Sequence, residues 1–264
     1  MQSLIVFLVT GACAGVLAGL FGVGGGLIMV PALAFVLPTQ GAPADAYMQM
    51  AIGTSLAVIG VTSISSTLSH HRRDAVVWPI FWRVAPGLVA GALLGSAVAD
   101  VLSGAALKKI VGVGAILVAI QMAFGLKPAA HQDARPPHGI ELLFTGAIIG
   151  VLSSLIGIGG GSLTVPYLTL RGTQIRRAVG TSAACGMPIA WGGAVGFIWQ
   201  GWGHAGLPPY SIGYVSLTAF AGIAAASVLT APLGARLAHG LSPQVLSRAF
   251  AVLLAGIGIK MLIG

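Results

Sequence analysis

The sequence predicts an all-α polytopic membrane protein made of two homologous halves. Three observations carry that expectation. Of 264 residues, 56% are hydrophobic and only 7% charged, with a mean hydropathy of +0.98. A soluble domain carries about 25% charged residues, so this chain cannot clothe a water-facing surface. The apolar residues fall in runs of the length a helix needs to cross a bilayer, about 20 residues, without the alternating pattern of a membrane barrel. Finally, Leu20-Phe21-Gly22-Val23-Gly24-Gly25-Gly26, with Pro31 beyond it, returns as Leu155-Ile156-Gly157-Ile158-Gly159-Gly160-Gly161, with Pro166 beyond it.

The apolar spans cover roughly 3–21, 27–38, 47–69, 77–99, 107–125, 140–156, 162–170, 179–200, 211–235 and 244–263. Met1-Gln2-Ser3 puts no basic residue before the first run, so no cleaved leader is expected. Spans 27–38 and 162–170 follow the glycine motifs and are too short to cross alone. Gly53-Thr54-Ser55 opens span 47–69, as Gly180-Thr181-Ser182 opens span 179–200. Leu94-Gly95 matches Leu233-Gly234, Leu102-Ser103 matches Leu241-Ser242, and Lys109 matches Arg248. These matches divide the chain into a first transmembrane repeat over 1–125, a polar, proline-rich cytoplasmic linker over 126–139, and a second repeat over 140–264. Together they form one transport domain.

The net charge of +8 sits in short loops between apolar spans, which points to membrane orientation and away from nucleic acid. Two arrangements compete. Four crossings per half give parallel halves. A re-entrant helix pair around each glycine break leaves three further crossings and an inverted second half. With the loop His70-His71-Arg72-Arg73 fixed inside, the parallel arrangement divides Lys and Arg six inside to seven outside. Inversion places ten inside and only Lys108, Lys109 and Lys260 outside. The basic-inside tendency therefore favours inversion.

Each glycine motif exposes backbone N–H groups and allows backbone angles closed to other residues. Non-helical backbone at membrane depth persists only where it is buried in protein or lines a cavity. Interrupted helices at matching places in two halves mark the binding sites of transporters. A helix starting after such a turn aims unpaired N–H groups and its positive end back at it, which suits a small anion. The candidate substrate-binding residues are Gly22, Gly24, Gly25, Gly26, Gly157, Gly159, Gly160 and Gly161, with Gly53, Thr54, Ser55, Gly180, Thr181 and Ser182, whose hydroxyls can donate to oxyanion oxygens. The alternatives are close helix packing for the glycines and capping for the hydroxyls. Thr62, Ser63, Ser65, Ser66 and Thr67 line a polar path or bond back to their own helix. Arg176 and Arg177 set orientation or draw anions to the cytoplasmic mouth.

All five acids (Asp45, Asp74, Asp100, Asp133 and Glu141) lie in loops or at span ends, so no membrane carboxylate is expected for ion coupling. Cys13 and Cys185 read as small packing residues. No metal-ligand spacing, no cofactor motif and no Ser-His-Asp or HExxH set is present, so the chain is not expected to be an enzyme.

On Gly22–Gly26 with Pro31, Gly53-Thr54-Ser55 and their repeats at Gly157–Gly161 with Pro166 and Gly180-Thr181-Ser182, the chain resembles the TauE/SafE, or sulfite exporter, family of bacterial membrane transporters. The resemblance covers nearly the whole length. It implies a multi-pass protein of the cytoplasmic membrane that exports, or less often imports, sulfite or a small organosulfur anion such as sulfoacetate. The expected partners are that anion and the lipid bilayer; a homo-oligomer stays open. An anion channel and a structural or assembly factor remain as alternative readings.

Overall fold

The computed structural model describes residues 2–21, 25–124, 139–238 and 243–263. Gly22, Gly24 and the expected linker, apart from Gly139, lie outside them. The described residues form ten α-helices in two matching sets. The first is α1 (Gln2–Phe21), α2 (Gly26–Val36), α3 (Tyr47–His71), α4 (Trp78–Val101) and α5 (Gly104–Ala123). The second is α6 (Gly139–Ile156), α7 (Gly161–Leu170), α8 (Ile175–Gln200), α9 (Leu217–Ala238) and α10 (Pro243–Ile263). Each half is a long helix, a glycine break, a half-length helix and three further long helices. Among the described residues α3, α4, α5, α6 and α8 are each long and apolar enough to cross a membrane.

Two expectations need correction. The apolar run 211–235 is not helical throughout. Residues 211–216 form a small antiparallel hairpin, β1 (Ser211–Ile212) with β2 (Val215–Ser216), Ser211 opposite Ser216. Tyr210 (φ 61°) and Gly213 (φ 51°) hold left-handed backbone that breaks a helix. The Gly-Thr-Ser motifs also do not open their helices. Gly53 and Gly180 lie in the second turns of α3 and α8, where backbone N–H groups are already paired within the helix.

The halves interlock. The first half's α4 lies along the second half's α6, with Gly87, Gly91 and Gly95 facing Leu143, Ala147 and Val151. A methyl on Gly91 would sit 2.0 Å from the Ala147 carbonyl oxygen; such small-residue seams let helices approach closely in lipid. The matching pair α1 and α9 repeats this at Gly11 and Gly15, where Ser227 and Thr230 hydroxyls donate to the carbonyls of Gly11 (2.9 Å) and Ala12 (3.0 Å). In both pairs residue numbers rise together, so the helices run parallel.

Equivalent helices of the two halves instead run antiparallel. Along α3 and α8, Leu56 meets Gly193, Gly60 meets Trp191 and Ser63 meets Gly186, and Thr67 donates to the Ala183 carbonyl. Along α5 and α10, Gly112 meets Gly258 and Ser247 donates to the Met122 carbonyl. The largest core cluster gathers on α2 and α3 around Met29, Leu33, Ile52, Leu56 and Ile59. Large apolar side chains such as Leu117, Phe144, Trp199 and Val252 cover the outer surface.

Two pairs of cations lie at opposite ends. The Arg176 guanidinium donates to the Arg73 carbonyl (3.2 Å), so the α3–α4 turn and the start of α8 share one end of the bundle. Lys108 and Lys260 line one cleft at the other.

Candidate substrate site

The two short helices begin alike. Gly25 (φ 71°) precedes α2 and Gly160 (φ 74°) precedes α7. A residue with a side chain there would carry about 1–2 kcal/mol of strain. Both helices then meet a proline at their sixth residue, Pro31 and Pro166, which removes one backbone bond from each.

The two breaks touch. A methyl at Gly26 would lie 2.3 Å from the Gly157 carbonyl oxygen and 3.2 Å from Ile158 Cα. Ser55, on α3, donates its hydroxyl to that same carbonyl (3.2 Å, buried). Ile59, one turn further along α3, reaches both breaks, against Gly26 on one side and Gly159 on the other. Gly186 of α8 packs against the Gly159 carbonyl.

The second break carries a cluster of unspent donors. Gly157 and Ile158 amides both donate to the Ser153 carbonyl, and the Leu163 and Thr164 amides to that of Gly160. Among the described residues, the four amides between them, from Gly159 to Ser162, have no hydrogen-bond partner. Beside them the hydroxyls of Ser153 and Thr164 are fully buried and unpaired. Both lie 3.6 Å from where a Gly160 side chain would begin. Buried hydroxyls ordinarily find a partner. Four amides and two hydroxyls, without a cation or carboxylate in the cluster, offer donors to one small acceptor at the positive end of α7.

At the first break the Ile28 and Met29 amides likewise donate to the Gly25 carbonyl, but the two hydroxyls have no counterpart in the sequence. In register with Ser153, Ser162 and Thr164 stand Ala18, Leu27 and Met29. Sequence reasoning treated the breaks as equals and missed Ser153 and Thr164. The aligned halves held the signal, because each of these hydroxyl residues faces an apolar counterpart.

The Gly-Thr-Ser motifs do not converge. Thr54 accepts from the Ser216 amide (3.0 Å), just before α9, and Thr181 accepts from the Val77 amide (2.9 Å), just before α4. Gly53 and Gly180 make room for the same strands of chain, against the Tyr214 and Ala75 carbonyls. Since Thr67 meets Ala183, Gly180 lies about 25 Å along α3 from Gly53 at 1.5 Å per residue. Only the serines of the motifs differ: Ser55 reaches the break, and Ser182 is buried with its hydroxyl unpaired, one turn from Gly186. Thr62 and Ser63 bond back to carbonyls of α3.

Comparison with known proteins decides the family. A model for the sulfite exporter TauE/SafE family matches residues 7–261. The chain belongs to the TauE/SafE family. A probable membrane transporter protein of Haemophilus influenzae is 37% identical over 98% of this chain and 97% of its own. One from Methanocaldococcus jannaschii is 30% identical over 98% of this chain and 95% of its own, and one from Bacillus subtilis 31% identical over 64% and 68%. No solved structure matches. This TauE/SafE protein is a multi-pass membrane transporter and not an enzyme, and the matched region takes in both glycine breaks.

Proposed function

We propose that the protein is a secondary carrier that exports sulfite, or a small organosulfur anion such as sulfoacetate, across the cytoplasmic membrane. The observation that carries this reading is the cluster of unpaired donors at the second break, four amides with the Ser153 and Thr164 hydroxyls. A compact oxyanion offers acceptor oxygens on every side, which is what such a cluster lacks. The substrate class follows the family's description. The seat lies where Gly25 and Gly26 meet Gly157–Gly161, with Ser55 and Ser182 beside it, while Gly53, Thr54, Gly180 and Thr181 hold the frame.

The reading includes an inverted relation between the halves. Its support is the antiparallel packing of α3 on α8 and of α5 on α10, together with Arg176 meeting Arg73 at one end and Lys108 and Lys260 lining one cleft at the other. Ile189 and Ile59 close over the break from α8 and α3. That cover favours a carrier with an occluded state over an open channel.

The test is a thermal-stability screen of purified protein against sulfite, sulfate, thiosulfate, sulfoacetate, taurine and small carboxylates. A true substrate raises apparent stability in proportion to the logarithm of its concentration over Kd. Stabilisation by at least one sulfur oxyanion, and saturating flux of that anion in proteoliposomes, is expected. No response to any of them, or flux that rises linearly without saturation, would overturn the proposal.

A further inference from the structure

A second place for an anion lies away from the glycine breaks. A cleft of about 680 Å³ opens between α1, α2, α5 and α10. Its wall is apolar, with Ile28, Ala32 and Phe35 of α2 facing Ile257 of α10. Its polar atoms include two ammonium groups: Lys108, in the second turn of α5, and Lys260, in the last turn of α10. Lys260 Nζ stands 4.1 Å from the centre of the Phe35 ring. Neither lysine enters an ion pair among the described residues.

The cleft does not lead to the substrate seat. Helix α2 separates them. Its face bearing Gly26, Val30 and Leu33 is buried toward the break, and the face bearing Ile28, Ala32 and Phe35 lines the cleft. The cation pair is also not a by-product of the repeat. In register with Lys108 and Lys260 the other half has Ser247 and Gln121, and Ser247 is bonded to the Met122 carbonyl.

An apolar crevice on the outer surface of a membrane protein, with two cations at helix ends, has the two-part chemistry of an anionic phospholipid. A small soluble anion gains nothing from the apolar wall; an acyl chain does. Basic side chains at the interface attract anionic headgroups, and long lysine stems suit that depth. We infer that this cleft holds one anionic phospholipid, its phosphate between Lys108 and Lys260 and an acyl chain along α2.

Purified protein in detergent is titrated with dioleoylphosphatidylglycerol, dioleoylphosphatidylcholine or glycerol 3-phosphate, and bound lipid is read by native mass spectrometry alongside thermal stability. Phosphatidylglycerol should be retained and stabilising, and the other two not. Each basic residue near an anionic surface is worth about fivefold in binding, so Lys108→Gln with Lys260→Gln should weaken retention about 30-fold. Lys109→Gln, exposed on α5, should leave it unchanged. Equal retention of phosphatidylglycerol by the double variant overturns the inference. So does equal stabilisation of the wild type by glycerol 3-phosphate, which would mark a plain anion site, or by phosphatidylcholine, which would mark an unselective greasy groove.

Discussion

Thr164→Val separates a ligand group from a structural one, because the two roles predict opposite signs. Valine keeps the shape of threonine and loses only the hydroxyl. That hydroxyl is buried and has no partner among the described residues, which costs about 1–3 kcal/mol where no guest satisfies it. Its removal should therefore leave the fold as stable or raise stability by about 1 kcal/mol. With an anion bound, the same hydroxyl would donate to a charged acceptor, a bond worth about 1.5–3 kcal/mol. Its loss should weaken Kd about 10- to 150-fold. Calorimetric titration with the anion identified in the screen reads the affinity, and denaturant unfolding reads the stability. Ser153→Ala should behave alike. The two changes together should fall short of additive, since both hydroxyls address one guest within a few ångströms. An unchanged Kd in both variants, or a ligand-free protein made less stable by 1 kcal/mol or more, would refute the reasoning.

Three further outcomes test the frame around that site. Thr181→Val leaves the Val77 amide without its acceptor, so it should cost about 1–3 kcal/mol of stability while substrate Kd stays within twofold; a large loss of affinity would return Thr181 to the binding site. Ser63→Cys with Gly186→Cys places two Cβ atoms 3.5 Å apart, inside the range for a disulfide. Oxidation should then halt flux in proteoliposomes and a reductant should restore it, whereas undiminished flux in the oxidised protein would argue that α3 and α8 do not move against each other. The buried Tyr214 hydroxyl donates to Asp100 (2.8 Å), and burial first, then the Asp100 bond, push its pKa up. A raised pKa means the neutral phenol is the stabilising form, so its contribution is whole below about pH 10 and is lost progressively as pH rises from there through the raised value. Tyr214→Phe should flatten the alkaline limb of a stability–pH curve measured from pH 8 upward, and an unaltered limb would assign that loss to other groups.

The sequence disclosed the repeat, the helical class and the broken pairs, because each depends on local chemistry: apolar run length, glycine clusters, and proline at a fixed distance. What sequence could not show was who bonds to whom across the chain. Thr54 and Thr181 looked like anion donors because a hydroxyl beside glycine suits that role. Their partners, Ser216 and Val77, stand 162 and 104 residues away, beyond the reach of any spacing argument. Ser153 and Thr164 had the opposite fate. Each reads as an ordinary polar residue in an apolar run until the end of α6 folds against the first turn of α7. The hairpin at 211–216 was hidden because hydropathy does not register left-handed backbone at Tyr210 and Gly213.

The departures from symmetry bear on direction. Ile59 of α3 and Gly186 of α8 occupy matching positions in the two halves, and both border Gly159. On the α3 side the branched Ile59 covers Gly159; on the α8 side Gly186 offers Gly159 only backbone, and Ile189 covers Gly160. Along α8, Ser182, with its unpaired hydroxyl, is the next turn out from Gly186. That turn points toward the end holding Arg73 and Arg176, the end that the distribution of basic residues assigns to the cytoplasm. Toward the opposite end the break is roofed by Val30, against Gly157, and by the core of α2 and α3. A positive field at that mouth would gather anions on the side from which an exporter loads, in keeping with the export we propose.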